Sequence, residues 1–171
     1  MSGIYTLIDK YSSGLKESTE KFNFDDPQVP PEQIASMLAE TMIKHKGVGL
    51  AAPQVGLPLS VFVIGDPANR DSIMAFFNPN IVDFSKEKVY YNEGCLTFPG
   101  LYIKIKRPTQ IRMRFTDVHG ETTTTKYTGF SSRAIQHEYD HLQGISFQKK
   151  ATLYHLSKAK KDQKKSLRRA R

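Results

Sequence analysis

The sequence predicts an α+β fold in which antiparallel strands pack around a central helix, with one N-terminal and one C-terminal helix. Three observations predict this class. An amphipathic helical pattern lies in the first third of the chain, short β-rich runs fill residues 47–129, and a second helical pattern follows them. With 171 residues, 39% of them hydrophobic, the chain is long enough to bury its own core and is expected to form one globular unit.

The first helix is predicted over about residues 31–46. Pro31 suits the first helical turn, where its missing N–H costs no hydrogen bond. Apolar residues from Ile34 to Met42 recur with the 3.6-residue period of a helix, and Gly47 follows where helices commonly end. The pattern therefore predicts an amphipathic helix with one buried face.

Short strands separated by Gly, Pro and Asn are predicted next, over 61–65, 74–79, 88–98, 101–107, 110–117 and 121–129. The clearest alternation is that of Leu101, Ile103 and Ile105 with more polar neighbours, which is typical of a half-buried strand. A hairpin turn is predicted at 118–121. This spacing favours antiparallel pairing.

A second helix is predicted to begin near Ser131 and Ser132, which are good capping residues, and to end at Gln143 and Gly144. From about Thr152 the chain is again compatible with a helix and becomes increasingly basic. The second helix is thus expected to lie at the centre of the fold.

The net charge of +8 belongs to the C-terminal segment. Residues 158–171 hold eight lysines and arginines against one aspartate, so the remainder is nearly neutral. We therefore separate a globular domain over 1–150 from a basic helix or tail over 151–171. The charge says nothing about what the globular part binds.

Composition excludes two classes of protein. A single cysteine cannot form an internal disulfide, which excludes a disulfide-stabilised secreted scaffold. No apolar run is long enough to cross a membrane, and the first ten residues have neither an apolar signal core nor an Arg-rich transit pattern. A reducing cytoplasm is the expected location.

The chemistry is concentrated on the second helix. His137 and His141 are four residues apart, so both imidazoles lie on one helical face and can bind one metal ion. Glu138 is suited to taking a proton from a water molecule beside that ion. Two chance histidines on a surface helix are the simpler alternative, and the adjacent glutamate makes it less attractive.

A metal site of this kind needs a third protein ligand. The longer zinc-protease pattern would place a histidine at position 147, which is Phe147, and no glutamate follows Glu138. The third ligand must therefore lie upstream, where the candidates are Cys95, His119 and His45, with scattered carboxylates. Cys95 is favoured because the two histidines are expected at an exposed turn and an exposed helix end.

Residues 47–54, GVGLAAPQ, are rich in small side chains. Such residues allow a substrate to approach the backbone closely, and the Gln54 amide could donate a hydrogen bond to a developing oxyanion. Taken alone, this segment could equally be a turn.

Three segments together resemble the peptide deformylases: GVGLAAPQ at 47–54, EGCLT at 93–97 and QHEYDH at 136–141. Their order and separation also match, and the resemblance covers about residues 1–150. It implies a hydrolase that removes the N-formyl group from the N-terminal formyl-methionine of new polypeptides and releases formate. It further implies one divalent metal ion, Fe(II) in the cell, which Zn, Ni or Co can replace.

The resemblance also implies roles for individual residues. Cys95, His137 and His141 would hold the metal, and Glu138 would move a proton from water to the leaving amine. Gln54 and the Leu96 backbone N–H would stabilise the oxyanion together with the metal. The peptide would add as a strand between the Val48–Gly49 segment and Gly94, with its methionine side chain in a pocket near Val48 and His137.

Four residues depart from this pattern or add to it. Thr97 replaces a serine, and Tyr102 stands where a basic residue is usual. Arg133 replaces an apolar pocket residue and is expected either to point to solvent or to alter the preference of the pocket. Asp140 is predicted to pair with Arg107, because a buried carboxylate beside a metal ligand needs a partner.

Two other functions remain open from the sequence. One is a metallopeptidase that cuts internal peptide bonds, and the other is an inactive relative that acts as a ribosome-binding module. The basic segment 158–171 is expected to be a solvated helix or extension, or else to contact ribosomal RNA near the peptide exit.

Overall fold

Two antiparallel sheets enclose helix α2 in a computed structural model that describes residues 3–170. Met1, Ser2 and Arg171, the last of which belongs to the predicted basic segment, lie outside the described residues. The helices are α1 (Pro31–Lys44), α2 (Gly129–Leu142) and α3 (Leu153–Arg169). The strands are β1 (Gly49–Ala51), β2 (Val61–Ile64), β3 (Met74–Phe84), β4 (Lys88–Cys95), β5 (Phe98–Pro108), β6 (Gln110–Thr116) and β7 (Thr122–Thr128).

The larger sheet has the strand order β1-β2-β3-β6-β7, and β4 and β5 form a separate hairpin. Strand β2 is buried on both faces. Its residues Phe62 and Ile64 pack in the cluster that contains Ile135 of α2, while Val61 and Val63 pack in the cluster that contains Leu38 of α1. The large sheet therefore lies between the two helices.

The inner face of β5 forms the third part of the core. Leu101, Ile103 and Ile105 are buried together with Phe147 and Ala159. The buried face of this strand is therefore the one that the alternation in the sequence predicted. Because Ala159 belongs to α3, the C-terminal helix packs against the hairpin.

The α+β class and the antiparallel arrangement are as predicted. Helix α1 ends two residues before the predicted limit, since Lys46 has a positive φ of 55° that a helix cannot continue through. Strand β1 was missed, because three buried residues give no readable period.

Two predicted boundaries are wrong for local reasons. Strand β3 does not end at position 79 but runs to Phe84, because Asn78 adopts a φ of 48° and bends the strand at a register shift. Helix α2 begins at Gly129, before the two predicted capping serines. Ser132 is instead inside the helix, where its hydroxyl accepts a hydrogen bond from Gln136 Nε2 at 3.0 Å.

None of the helices among the described residues combines the length and apolar character needed to cross a membrane.

Candidate active site

Helix α2 places three ionisable side chains beside a cavity that is bounded by α2, β1 and the β4–β5 hairpin. His137, Glu138 and His141 are all buried. The four-residue spacing brings the two imidazoles together on one helical face, with ring centroids 5.1 Å apart. α2 buries this polar face because it contacts both β1 of the large sheet and β5 of the hairpin.

Cys95 ends strand β4 and brings its thiol to the two imidazoles. Its Sγ lies 3.3 Å from His141 Nε2, and the ligand atoms of Cys95, His137 and His141 all lie within 4.8 Å of one another. Metal bonds of about 2.0–2.3 Å in a tetrahedral site place neighbouring ligand atoms roughly 3.5 Å apart. These three residues therefore fit a metal ion, and they are the one such group among residues 3–170.

The other two upstream candidates lie outside this group. His45 caps the exposed end of α1, and His119 lies in the exposed turn between β6 and β7. The upstream residue that the fold brings to the helix pair is Cys95, the one favoured from the sequence.

The surroundings of Cys95 favour the ionised form of its thiol. Burial alone would raise its pKa, but the electrostatic interaction with His141 and a hydrogen bond with His137 outweigh burial and bring the pKa well below its usual value. The thiolate is the form in which cysteine binds a metal ion.

Glu93 joins the helix to the hairpin through a buried ion-pair network. Its Oε2 lies 3.2 Å from His137 Nδ1, and its Oε1 accepts hydrogen bonds from Arg107 Nε at 2.5 Å and Arg133 Nη1 at 2.6 Å. Burial would raise the pKa of this carboxyl, but the bonds with His137 and Arg107 lower it to about 2. Sequence reasoning missed this role, although Glu93 stands two positions before Cys95, a spacing that favours the same face of a strand.

The predicted pairing of Asp140 with Arg107 is confirmed. Arg107 Nη1 donates to Asp140 Oδ2 at 2.8 Å, and both side chains are buried. Lys150 Nζ lies 3.2 Å from the other carboxylate oxygen of Asp140. One guanidinium therefore bridges a carboxylate on β4 and a carboxylate on α2.

Arg133 does not point to solvent, so that part of the expectation is wrong. The residue is 7% exposed, and its guanidinium donates to Glu93, to the Ile105 carbonyl at 3.1 Å and to the Val89 carbonyl at 2.8 Å. The carboxylate of Glu93 supplies the counter-charge that makes burial possible. Arg133 also lines the cavity beside His137, as a pocket residue would.

Glu138 has a buried carboxylate with one free oxygen. Its Oε2 has no hydrogen-bond partner among the described residues, although it is shielded from solvent. Burial raises the pKa of Glu138 to about 7, against the attraction of the two histidines. A Cβ on Gly49 would overlap Glu138 Oε1, so the close approach of β1 to this carboxylate requires glycine.

Gln54 is held in a fixed orientation by a 3₁₀ turn over Ala52–Val55. Its Oε1 accepts from the Ala51 backbone N–H at 2.8 Å, while its Nε2 donates to Thr97 Oγ1 at 3.1 Å and lies 3.5 Å from Cys95 Sγ. The hydroxyl retained in Thr97 is thus used. The amide donor of Gln54 therefore lies next to Cys95, which with His137 and His141 forms what we call the metal-ligand group.

The remaining predicted site residues line a single cavity of about 450 Å³. Val48, Gly49, Gly94 and Leu96 all belong to its wall, together with His137, Glu138 and Gln54. Tyr102 lines it as well and packs its ring over Gly94. The cavity therefore gathers these residues in one place, and its wall also contains Cys95 and His137 of the Cys-His-His group.

This combination defines the class of protein as an α+β hydrolase with a site that can hold a metal ion. Residues 4–157 match the family model described as "Polypeptide deformylase". The peptide deformylase of Aquifex aeolicus is 38% identical over 78% of this chain and 79% of its own. That of Pseudothermotoga lettingae is 42% identical over 64% of this chain and 62% of its own.

Solved structures agree with the sequence relatives. The peptide deformylase of Plasmodium falciparum has a TM-score of 0.86 and 29% identity over 95% of both chains. A Met-Ala-Ser-bound class I type b peptide deformylase from Acinetobacter baumannii has a TM-score of 0.80 and 29% identity, over 88% of this chain and 99% of its own.

The chain belongs to the polypeptide deformylase family. It is a hydrolase that removes the N-formyl group from newly made polypeptides. Of the three functions left open by the sequence, family membership supports the deformylase over the metallopeptidase and the inactive relative.

Proposed function

We propose that Glu138 is the proton carrier of deformylation and that Gln54 and the Leu96 backbone N–H stabilise the oxyanion. The observation that supports this assignment is the free, buried Oε2 of Glu138 in a cavity that the metal-ligand group also reaches. A carboxylate whose pKa lies near neutrality can accept a proton and later return it.

Cys95, His137 and His141 would hold one divalent ion, and we propose Fe(II), with Zn, Ni or Co able to replace it. The thiolate and imidazole donors suit these borderline metals better than Mg²⁺ or Ca²⁺. When bound, the ion would supply a polarised water and a positive charge near the formyl oxygen.

The proton balance follows from the position of Glu138. The water oxygen bonds to the formyl carbon while Glu138 accepts the water proton. The C–N bond then breaks and Glu138 returns the proton to the amine nitrogen. The second water proton leaves with formic acid, which ionises to formate on release, and a free N-terminus remains. One carboxylate can serve both steps, because the proton that it accepts from water is the proton that it returns to the amine.

Gln54 is suited to the oxyanion because its orientation is set before substrate arrives. The Ala51 N–H holds its oxygen, so its NH₂ group is turned to the Cys95 side. A preorganised donor of this kind typically contributes about 10²–10³ in turnover.

The substrate would bind as an extended peptide between Val48–Gly49 and Gly94. β1 is an edge strand of the large sheet and β4 lies in a two-stranded hairpin, so both retain backbone groups for an added strand. The formyl-methionyl side chain would enter the cavity near Val48 and His137. The relative that was solved with Met-Ala-Ser supports a peptide of this length.

Formate release from formyl-Met-Ala-Ser tests the role of Glu138. Anaerobically purified wild type is compared with Glu138→Gln, with metal content measured for both, and with Glu121→Gln as a matched control at an exposed turn. We expect Glu138→Gln to keep its metal and to lose at least about 10²-fold in turnover. Full activity of this variant at equal metal content would overturn the assignment.

We also propose a cytoplasmic enzyme whose α3 contacts ribosomal RNA. Seven basic residues of α3 are exposed, and within residues 3–170 none of them has a carboxylate within 4 Å. Removal of the helix is a poor test, since Ala159 is buried and Gln163 donates to the Pro99 carbonyl. Lys161→Gln with Lys165→Gln should instead weaken ribosome co-sedimentation in a salt-dependent manner, and unchanged co-sedimentation would contradict the contact.

A further inference from the structure

The outer face of the β4–β5 hairpin is basic and aromatic. We call it the basic hairpin face, and it consists of Lys88, Tyr90, Asn92, Tyr102, Lys104 and Lys106, all exposed. Register places these side chains together, because Tyr90 is opposite Lys106 and Asn92 is opposite Lys104. The face contains three positive charges and no carboxylate.

The lysines of this face are not neutralised elsewhere. Among the described residues, the one lysine that forms an ion pair is Lys150, with Asp140. Lys104 and Lys106 instead hold their ammonium groups 5.7 Å and 5.5 Å from the centre of the Tyr90 ring. Two like charges are thus kept together over an aromatic ring, and this arrangement favours an anionic partner.

The aromatic character continues from the hairpin to α3. The rings of Tyr90 and His155 are 5.2 Å apart, and those of His155 and Tyr154 are 5.3 Å apart. Tyr154 is 71% exposed, so its ring is free to stack on a ligand. Beyond it, α3 presents the exposed lysines that were considered above.

We propose that the basic hairpin face binds single-stranded RNA, with Lys104 and Lys106 on phosphates and Tyr154 stacked on a base. Unpaired charge next to exposed aromatic rings is the combination that proteins use for single strands, whereas duplex RNA is recognised mainly by shape and backbone. The proposal extends the ribosomal RNA contact of α3 to the hairpin and rests on it for the source of the RNA.

The basic hairpin face borders the catalytic cavity. Tyr102 and Asn92 belong both to the basic hairpin face and to the wall of the catalytic cavity. An RNA strand on the face would therefore run past the cavity mouth. RNA binding would therefore hold the cavity close to a peptide that emerges beside the RNA.

The test measures binding of a fluorescently labelled single-stranded RNA of about 20 nucleotides to the full chain as a function of salt. Lys104→Gln with Lys106→Gln should make the fall of log affinity with log salt less steep by about 1.4. This change corresponds to a loss of about 25-fold in affinity at 0.1 M salt relative to 1 M. Arg112→Gln with Lys126→Gln, opposite each other on β6 and β7, is the matched control and should leave binding unchanged.

Tyr154→Ala separates stacking from charge. It should weaken binding about fivefold or more with an unchanged salt slope. Tyr11→Ala is its control, because Tyr11 is 76% exposed and also lies beside a lysine, but outside the basic hairpin face. All these variants should release formate from formyl-Met-Ala-Ser at the wild-type rate.

Three results would overturn the proposal: RNA binding unaffected by the Lys104 and Lys106 substitutions, a preference for duplex RNA, or equal binding of a poly-glutamate peptide. Loss of formate release in the wild type would instead contradict the catalytic assignment. If Lys161→Gln with Lys165→Gln leaves both ribosome co-sedimentation and RNA binding intact while the hairpin variant loses RNA binding, the α3 contact is contradicted. The hairpin then still binds single-stranded RNA, but ribosomal RNA is no longer supported as its source.

Discussion

Glu93 and His137 are coupled across the interface of hairpin and helix. Oε2 of Glu93 lies 3.2 Å from Nδ1 of His137 and turns the other ring nitrogen to the side of Cys95. Such a carboxylate fixes the tautomer of a ligating histidine and increases its basicity. The glutamate of the EGC segment is therefore a positioning residue for the metal-ligand group.

Glu93→Gln should weaken both metal binding and folding. The substitution leaves two buried guanidiniums with less counter-charge, and removal of one partner from a buried pair costs about 3–5 kcal/mol. Loss of the partner of a metal ligand typically lowers affinity about 10–100-fold. Thermal unfolding and chelator competition measure the two effects.

Glu40→Gln is the matched control for this variant, since Glu40 pairs with Arg70 at the surface. It should change neither quantity beyond experimental error. Wild-type metal affinity in folded Glu93→Gln would show that His137 does not depend on this carboxylate.

Arg133→Met should destabilise the fold by acting on the same carboxylate. A double-mutant cycle with Glu93→Gln should give a coupling energy of about 0.5–3 kcal/mol, because the two side chains are 2.6 Å apart and buried. Urea unfolding of the four proteins measures this energy. Additive effects would mean that the pair contributes nothing beyond its separate parts.

Gly49→Ala should impair turnover without loss of metal. The new Cβ would displace Glu138, and misplacement of a catalytic group by about 1 Å can cost 10²-fold. Steady-state formate release with metal analysis tests this expectation. Gly14→Ala is the control, since its Cβ would meet nothing closer than 3.9 Å. Equal turnover of Gly49→Ala and wild type would contradict the role of Glu138.

Gln54→Ala should lower kcat by about 10²–10³ while the metal remains bound. Thr97→Val is its graded companion, because it removes the acceptor at 3.1 Å that orients Gln54 but leaves the amide in place. We expect a smaller loss for Thr97→Val. The kcat values of both variants, measured with the same formyl-peptide, show which substitution costs more. A larger loss for Thr97→Val would contradict the oxyanion role of Gln54.

The local parts of the site were visible in the sequence. The four-residue spacing of His137 and His141 and the alternation along β5 depend on one element each, so periodicity reports them. The pairing of Asp140 with Arg107 was also predictable, because a buried carboxylate requires a partner.

Two features that depend on residues from several elements were not predicted. Burial of Arg133 depends on a carboxylate from β4 and carbonyls from β4 and β5, none of which is near it in the chain. The bend at Asn78 depends on Phe22, whose backbone exchanges two hydrogen bonds with the Asn78 side chain. Neither environment can be inferred from a local pattern.

We propose that Cys95, His137 and His141 hold the one metal ion on which deformylation depends. Metal-free protein titrated anaerobically with Fe(II) tests it most directly, with formate release from formyl-Met-Ala-Ser as readout. We expect activity to rise in proportion to bound metal, to reach a plateau at one ion per chain, and to be absent in Cys95→Ala. Protein that binds one ion per chain and releases no formate, or Cys95→Ala that matches wild type, would contradict it.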